Sequence, residues 1–174
     1  TSSTINNNTL QKLNLRGFSG TISNNEVDNV NGTAFNLMAV TSSNIYSNNI
    51  QNTTQAILLN GSSNTNNIYD NWLNNNDFNL NITRSTGNKI YNNYFKGSQQ
   101  SIKGISDDSS NTWNTTLSCG TPNIVGGPCK GGNFYSDYYG LDNGANSGVQ
   151  GDGVGDDPSS YTIASGNTDA EPLV

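Results

Sequence analysis

Ile45-Tyr46-Ser47-Asn48-Asn49-Ile50 and Ile68-Tyr69-Asp70-Asn71-Trp72-Leu73 are one six-residue phrase written twice, 23 residues apart. It recurs upstream as Ile22-Ser23-Asn24-Asn25-Glu26-Val27 and downstream as Ile90-Tyr91-Asn92-Asn93-Tyr94-Phe95, so successive starts lie 23, 23 and 22 residues apart. Each copy is apolar first, Asn fourth and apolar sixth. Ile5-Asn6-Asn7-Asn8-Thr9-Leu10 fits the same frame 17 residues earlier, which makes the first coil short. A second apolar register falls twelve residues after each start, at Ala34, Ile57, Leu80 and Ile102. Self-similarity at this period marks a solenoid.

The phrase is strand-like. In an extended chain, residues of equal parity share a face, yet positions one and six differ in parity and are both apolar. The chain must bend between them for both to point inward. Asn25, Asn48, Asn71 and Asn93 sit at that bend, and Asn tolerates left-handed backbone better than other residues with a side chain. Stacked coils lie ~4.8 Å apart, so each amide is expected to donate to the next in an Asn ladder. Asn, Gly, Thr and Ser are poor helix formers, and no sustained 3.6-residue stripe runs through the chain. The expected fold is all-β: a single right-handed parallel β-helix of about five coils of 22–23 residues over residues 1–110, followed by an irregular cap over 111–174.

Composition narrows the setting. The 174 residues are only 31% hydrophobic and 11% charged, and 33 of them are Asn. Low apolar content with high charge would signal disorder; here the balance is Asn, Ser, Thr and Gly, and the repeat gives those residues fixed places. The net charge is −6 and the basic residues are scattered, so no nucleic-acid groove is expected. No apolar run reaches membrane-spanning length. No signal peptide is present, as expected of a chain processed on export.

Cys119 and Cys129 lie in a Gly/Pro-rich stretch and are expected to form a disulfide closing a small loop. A metal pair is disfavoured because the chain has no His. A disulfide implies an oxidising compartment, and six Asn-x-Ser/Thr sequons, at Asn7, Asn31, Asn52, Asn60, Asn81 and Asn114, agree with a secreted glycoprotein.

From Asn111 the text changes to Asn111-Thr-Trp-Asn, Asn123-Ile-Val-Gly-Gly-Pro128, Gly132-Asn-Phe-Tyr-Ser-Asp137-Tyr, Gly151-Asp-Gly-Val-Gly-Asp156-Asp-Pro158 and a closing Pro172-Leu-Val. A solenoid needs its last coil covered, and Trp113, Phe134, Tyr135, Tyr138 and Tyr139 suit that role. This run resembles the C-terminal part of NosD-type β-helix proteins. These are known as periplasmic copper-binding proteins, close to the carbohydrate-binding and sugar-hydrolase β-helices, and archaeal surface proteins carry the same module. The resemblance implies a right-handed parallel β-helix and an exported location. It does not carry copper over, because the chain has no His, one Met (Met38) and two Cys that are expected to pair. Similar proteins run Asp-x-Asp-Gly-Asp-Gly without interruption; here a Gly/Asn/Ser insertion parts Asp142 from Asp152.

Three candidate sites follow. The acidic segment places Asp142, Asp152, Asp156 and Asp157 among glycines, with Asp137 near, and such oxygen donors suit calcium; the plain alternative is a solvated Asp/Gly turn. Positions two and five of the phrase face outward, so Tyr46, Tyr69, Trp72, Tyr91 and Tyr94 are expected on one side of the stack. They would bind a sugar or another protomer, or only steady the sheet as a ladder. Catalysis is the weakest candidate. Glu26, Asp28, Asp70 and Asp77 do not recur in register beside a base, and Asp107-Asp108 lies near Lys103 at the start of a loop. Without His, no Ser/His or Cys/His nucleophile forms.

The first expectation is therefore a non-catalytic extracellular structural or adhesive surface protein that assembles with copies of itself as a filament, lattice or sheath. Thr1-Ser-Ser-Thr-Ile5 enters the first coil with no capping helix, and free strand edges invite pairing. A carbohydrate-binding module is the second expectation, and a polysaccharide lyase or hydrolase the third.

Overall fold

The structure, a computed structural model, describes residues 3–98, 104–108, 110–164 and 166–174. Ile102 and Lys103, both singled out above, lie outside the described residues.

The chain winds as a parallel β-helix. The first coil supplies β1 (Ser3–Asn6) and β2 (Leu13–Arg16), and the second β3 (Gly20–Ser23), β4 (Glu26–Asp28) and β5 (Thr33–Met38). The third supplies β6 (Asn44–Tyr46), β7 (Asn49–Gln51) and β8 (Gln55–Asn60). The fourth supplies β9 (Asn67–Tyr69), β10 (Trp72–Asn76) and β11 (Phe78–Ile82), and the fifth β12 (Lys89–Tyr91), β13 (Tyr94–Gly97) and β14 (Ile105–Asp107). Corresponding strands stack into three parallel sheets of five, ordered β1-β3-β6-β9-β12, then β4-β7-β10-β13 closed by β17 (Phe134–Tyr135), then β2-β5-β8-β11-β14. Five strands on a face span four complete turns, slightly fewer than the coil count expected from the repeat.

The phrase residues fill the core as parity requires. Ile22, Ile45, Ile68 and Ile90 point inward from the first sheet, Val27, Ile50, Leu73 and Phe95 from the second, all fully buried. On the third sheet the expected register needs one correction. Ile57 stands opposite Phe35 on one side and Leu80 on the other, so Ala34 is a step out of register, although it is buried too. The loop before β5 (Asn29-Val-Asn-Gly32) is one residue longer than the loop before β8, which shifts the count. Leu80 pairs onward with Ile105.

The corner between the first two sheets also differs from expectation in one respect. The left-handed residue is the third of the phrase: Asn24 (φ 53), Ser47 (φ 53), Asp70 (φ 56) and Asn92 (φ 52). One left-handed residue swings the chain through the corner and turns the following Asn inward. Asn25, Asn48, Asn71 and Asn93 are thereby buried and form the expected ladder, with Nδ2 donating to the next Oδ1 at 3.0, 2.9 and 2.9 Å for the three steps. Each Nδ2 also reaches the carbonyl of an apolar phrase residue one coil back, as Asn71 does to Ile45 at 2.9 Å. A second ladder, Asn66 to Asn88 to Asn111, runs at the corner between the third sheet and the first, with steps of 2.9 and 3.0 Å.

The coil pattern continues across residue 110. Asn111, Thr112 and Trp113 follow Asn88, Lys89 and Ile90 in register, through the Lys89–Thr112 bridge. Asn133, Phe134 and Tyr135 follow Asn93, Tyr94 and Phe95. Between them, at the Asn corner, a loop is inserted that carries β15 (Ser118–Cys119) paired antiparallel with β16 (Cys129–Lys130), with the Cys119–Cys129 disulfide joining opposite residues. A final hairpin, β18 (Tyr161–Ala164) and β19 (Asn167–Asp169), packs β18 against β14. Trp113 and Tyr135 are buried under it, Tyr135 stacking on Tyr161 at 4.0 Å and on Phe95 at 5.7 Å. Tyr138 packs edge-on against Tyr161, whereas Tyr139 is 85% exposed and takes no part in covering the core.

Candidate functional site

The outward aromatic residues stand where alternation puts them, but on two adjacent faces, not one. Tyr46, Tyr69 and Tyr91 stack along the first sheet with centroids 4.9 and 5.2 Å apart and ring planes within 10°. Trp72 and Tyr94 stack along the second at 3.8 Å, and Phe134 extends that row at 4.8 Å from Tyr94. The Asn corner separates the two rows, because positions two and five lie on opposite sides of the bend. Ser23, expected outside, is buried and donates to Asn6 Oδ1 at 3.2 Å. Within each stack neighbours cover the flat faces of the inner rings Tyr69 and Tyr94, which leaves ring rims for outside contacts. Burial, then the neighbouring Tyr91, Tyr46 and Asp70, push the Tyr69 hydroxyl up to about 12, so it stays a neutral donor. Lys89 lies 5.5 Å from the Tyr91 ring centre, and Lys130 pairs with Asp70 at 3.6 Å at the edge of the corner. Phe134 was readable as a row member, since Asn133-Phe-Tyr repeats positions four to six of the phrase; the inserted loop hid the spacing.

A groove of about 530 Å³ follows the corner between the second and third sheets, lined by Asn29, Asn31, Asn52, Thr54, Asp77 and Ser98. Asn29, Asn52 and Asn75 are its left-handed corner residues, each with φ 55. Asn75 donates to Asn52, and Asn52 to Asp28, both at 2.7 Å. Its walls are amides, hydroxyls and a carboxylate.

Most carboxylates of the acidic segment take hydrogen bonds from the protein itself. Asp142 accepts from the N–H of Gly151 and, at 2.8 Å, of Gly153; Asp156 accepts from Asn143 and Gly144 N–H at 2.8 and 2.6 Å. Asp152 accepts from Val154 N–H at 2.9 Å, Asp137 from the Tyr161 hydroxyl at 2.6 Å, and Asp157 is exposed. Among the described residues, no three His, Cys, Asp or Glu side chains gather in a way that could hold a metal. Asp142 and Asp156 brace the two sides of the insertion against each other, whereas Asp152 caps the N–H two residues on, as Asp does in Asx turns. Asp152 and Asp156 also line, with Glu171, a cleft of about 210 Å³. Glu171 was not foreseen from sequence. Burial raises the proton affinity of Asp152 and of Glu171, and repulsion among these acids adds to it.

Several of the remaining acids are hydrogen-bonded within the coils. Asp70 accepts from Asn92, Asp77 from Ser98 at 2.7 Å, and Asp108 from Arg84 N–H at 2.9 Å. Buried Asp107 accepts from Asn111 at 2.9 Å and Trp113 at 3.0 Å, while Glu26 is exposed on the second sheet. Of the sequons, Asn7, Asn31 and Asn52 are exposed, whereas Asn60, Asn81 and Asn114 are half-buried. Asn60 donates to Asn36 at 3.4 Å and its Oδ1 is enclosed.

The family described as periplasmic copper-binding protein (NosD) has a sequence model that matches residues 1–140, which takes in every coil and the start of the C-terminal segment. No curated protein and no solved structure matches the chain. Copper does not fit the donors present. The chain has no His, its one Met is surface-placed on β5, and both sulfur atoms of Cys119 and Cys129 are tied in the disulfide.

Proposed function

The chain belongs to the NosD family, and on that premise we propose that it works outside the cytoplasm as a non-catalytic structural or adhesive surface protein that associates with copies of itself. The observation that carries the proposal is the pair of aromatic rows, Tyr46-Tyr69-Tyr91 and Trp72-Tyr94-Phe134, on neighbouring outer faces of a stiff scaffold. Trp72 is 39% exposed and the other five rings are half-buried, and contiguous outward aromatic residues are a feature of contact sites. Rings already held in a stack lose little freedom on binding, which favours association. The disulfide and the periplasmic description of the family support an exported location; among the described residues no helix is long and apolar enough to cross a membrane. The engagement of Asp28, Asp70 and Asp77 with neighbouring amides and hydroxyls supports a scaffold role for them over acid–base work.

Light scattering over a wide concentration range tests association, with arms in calcium and in EDTA because the acidic segment supplies the oxygen donors calcium takes. Mass should rise with concentration and fall back for the W72A/Y94A variant. A wild-type protein monomeric in every arm contradicts the proposal, as does release of reducing ends or unsaturated products from acidic or neutral polysaccharides.

A glycan-binding role is the second reading. The amide- and hydroxyl-lined groove at Asn29, Asn52 and Asp77 favours it, since such groups match the hydrogen-bonding capacity of sugars. Glycan-array binding lost in N52A and N75A variants would favour this reading, and array-wide silence would remove it.

A further inference from the structure

Both Asn ladders end on a buried carboxylate. In the first, Asn8, Asn25, Asn48, Asn71, Asn93 and Asn133 each donate Nδ2 to the next Oδ1, and Asn133 donates to Asp169 Oδ2 at 3.2 Å. The backbone N–H of Asn133 reaches the same oxygen at 2.7 Å. In the second, Asn111 donates to Asp107. Every amide therefore points its positive end toward the cap, and the last member is a group that, when ionised, only accepts.

Asp169 lies in β19, fully buried. Besides Asn133 it accepts from the Tyr135 hydroxyl at 2.9 Å and Glu171 N–H at 3.0 Å. Gly132 leaves the room it needs, since a Cβ there would stand 1.9 Å from Oδ1. Among the described residues, the titratable groups around it are neutral or acidic. Tyr135 comes from β17, Tyr138 from the turn after it, Tyr161 (bonded to Asp137) from β18, and Glu171 from the closing segment. β14, packed on β18, brings Asp107, bonded to Asn111 and Trp113. Lys130, the cation nearest in sequence among the described residues, pairs with Asp70. Among the described residues a charge held here is met by dipoles and not by a counter-ion, and a buried charge so placed is costly.

We infer that Asp169 is a pH-responsive latch on the C-terminal hairpin, closing β18–β19 onto the last coil more firmly when its carboxyl is protonated than when it is ionised. Burial raises Asp169 to about 6 from its ordinary 3.8, against the lowering effect of the bonds from Glu171, Asn133 and Tyr135. Opening the hairpin would hydrate the carboxyl and return it to the ordinary range. The closed cap thus binds the proton more tightly than the open one. The contribution to closure is full below pH ~4 and is lost as pH rises through about 6. An exported protein would meet that range outside the cell.

Two measurements on the full chain test this. The Asp169 carboxyl carbon, followed by NMR, should titrate with a midpoint above 5. Amide exchange of β18–β19, corrected for the chemical dependence of exchange on pH, should lose protection on the order of tenfold between pH 5 and 7.5. D169N, which keeps an oxygen for Asn133, should abolish that loss. A midpoint at or below 4, or equal pH dependence in wild type and D169N, overturns the inference; if D169N does not fold, the wild-type titration decides.

Discussion

Asn71 donates both its backbone N–H, at 3.0 Å, and its Nδ2, at 2.9 Å, to the single oxygen Oδ1 of Asn93. The same Nδ2 reaches the carbonyls of Ile45 and Tyr69, and Asn71 Oδ1 accepts in turn from Asn48. One fully buried amide thus closes the corner of its own coil and joins three coils. N71A takes the acceptor from the buried backbone N–H of Asn48 and removes the Nδ2 bonds to Asn93 Oδ1 and to the Ile45 carbonyl. Leaving buried polar groups unpaired costs roughly 1–3 kcal/mol each, so urea unfolding should show a loss of about 3 kcal/mol or more. N75G, which keeps the left-handed backbone of the exposed groove corner, should stay within ~1 kcal/mol.

Phe95 lies between Trp113, 6.2 Å away, and Tyr135, 5.7 Å away, where the coil core meets the cap. F95A should cost about 3–5 kcal/mol, the range for deleting a buried ring. It should also redshift Trp113 fluorescence as water enters. Y139A, at the 85%-exposed ring, should change neither reading.

The repeat made the coils legible because it is enforced physically. A residue that stacks on its own kind one coil away must recur at the coil length, so Ile45, Ile68 and Ile90, and Asn48, Asn71 and Asn93, announce themselves. Finer placement was hidden where local geometry intervenes. One left-handed residue moved the bend from Asn71 to Asp70, and one added loop residue put Phe35 where Ala34 was expected. Phe134 was masked by the loop inserted after Trp113. The acidic segment was the least legible, because Asp spacing alone does not say which groups the carboxylates meet; Asp142 and Asp156 each accept from backbone N–H groups on the far side of the insertion. Asp169 gives no sequence signal, since it meets Asn133 from 36 residues away.

The Cys119–Cys129 bond closes a loop that is inserted between Trp113 and Asn133 and is not part of the coil itself. Closing so short a loop contributes at most about 3 kcal/mol in the chain-entropy account. The C119S/C129S variant should therefore keep the β-sheet circular dichroism of the wild type, and its added proteolysis should be confined to residues 114–132.

Glu171 and Asp152 share the cleft with Asp156, and each is raised by burial first and by acidic neighbours second. Their folded proton affinity exceeds the unfolded one, so their contribution favours the fold in acid and fades as pH rises above the ordinary carboxylate range. E171Q should raise the melting temperature at pH 7 and leave it unchanged at pH 4. A gain at both pH values would show that packing, not charge, sets the effect.

Self-association through the aromatic rows is the central claim, and sedimentation velocity of the wild type beside W72A/Y94A tests it most directly. Both rows are built on strands whose inward residues are untouched by these changes, so the variant should keep its fold. The account predicts a concentration-dependent shift to larger species for the wild type and a single monomer boundary for the variant. A wild type that sediments as a monomer at all concentrations, or a variant that associates just as strongly, would contradict it.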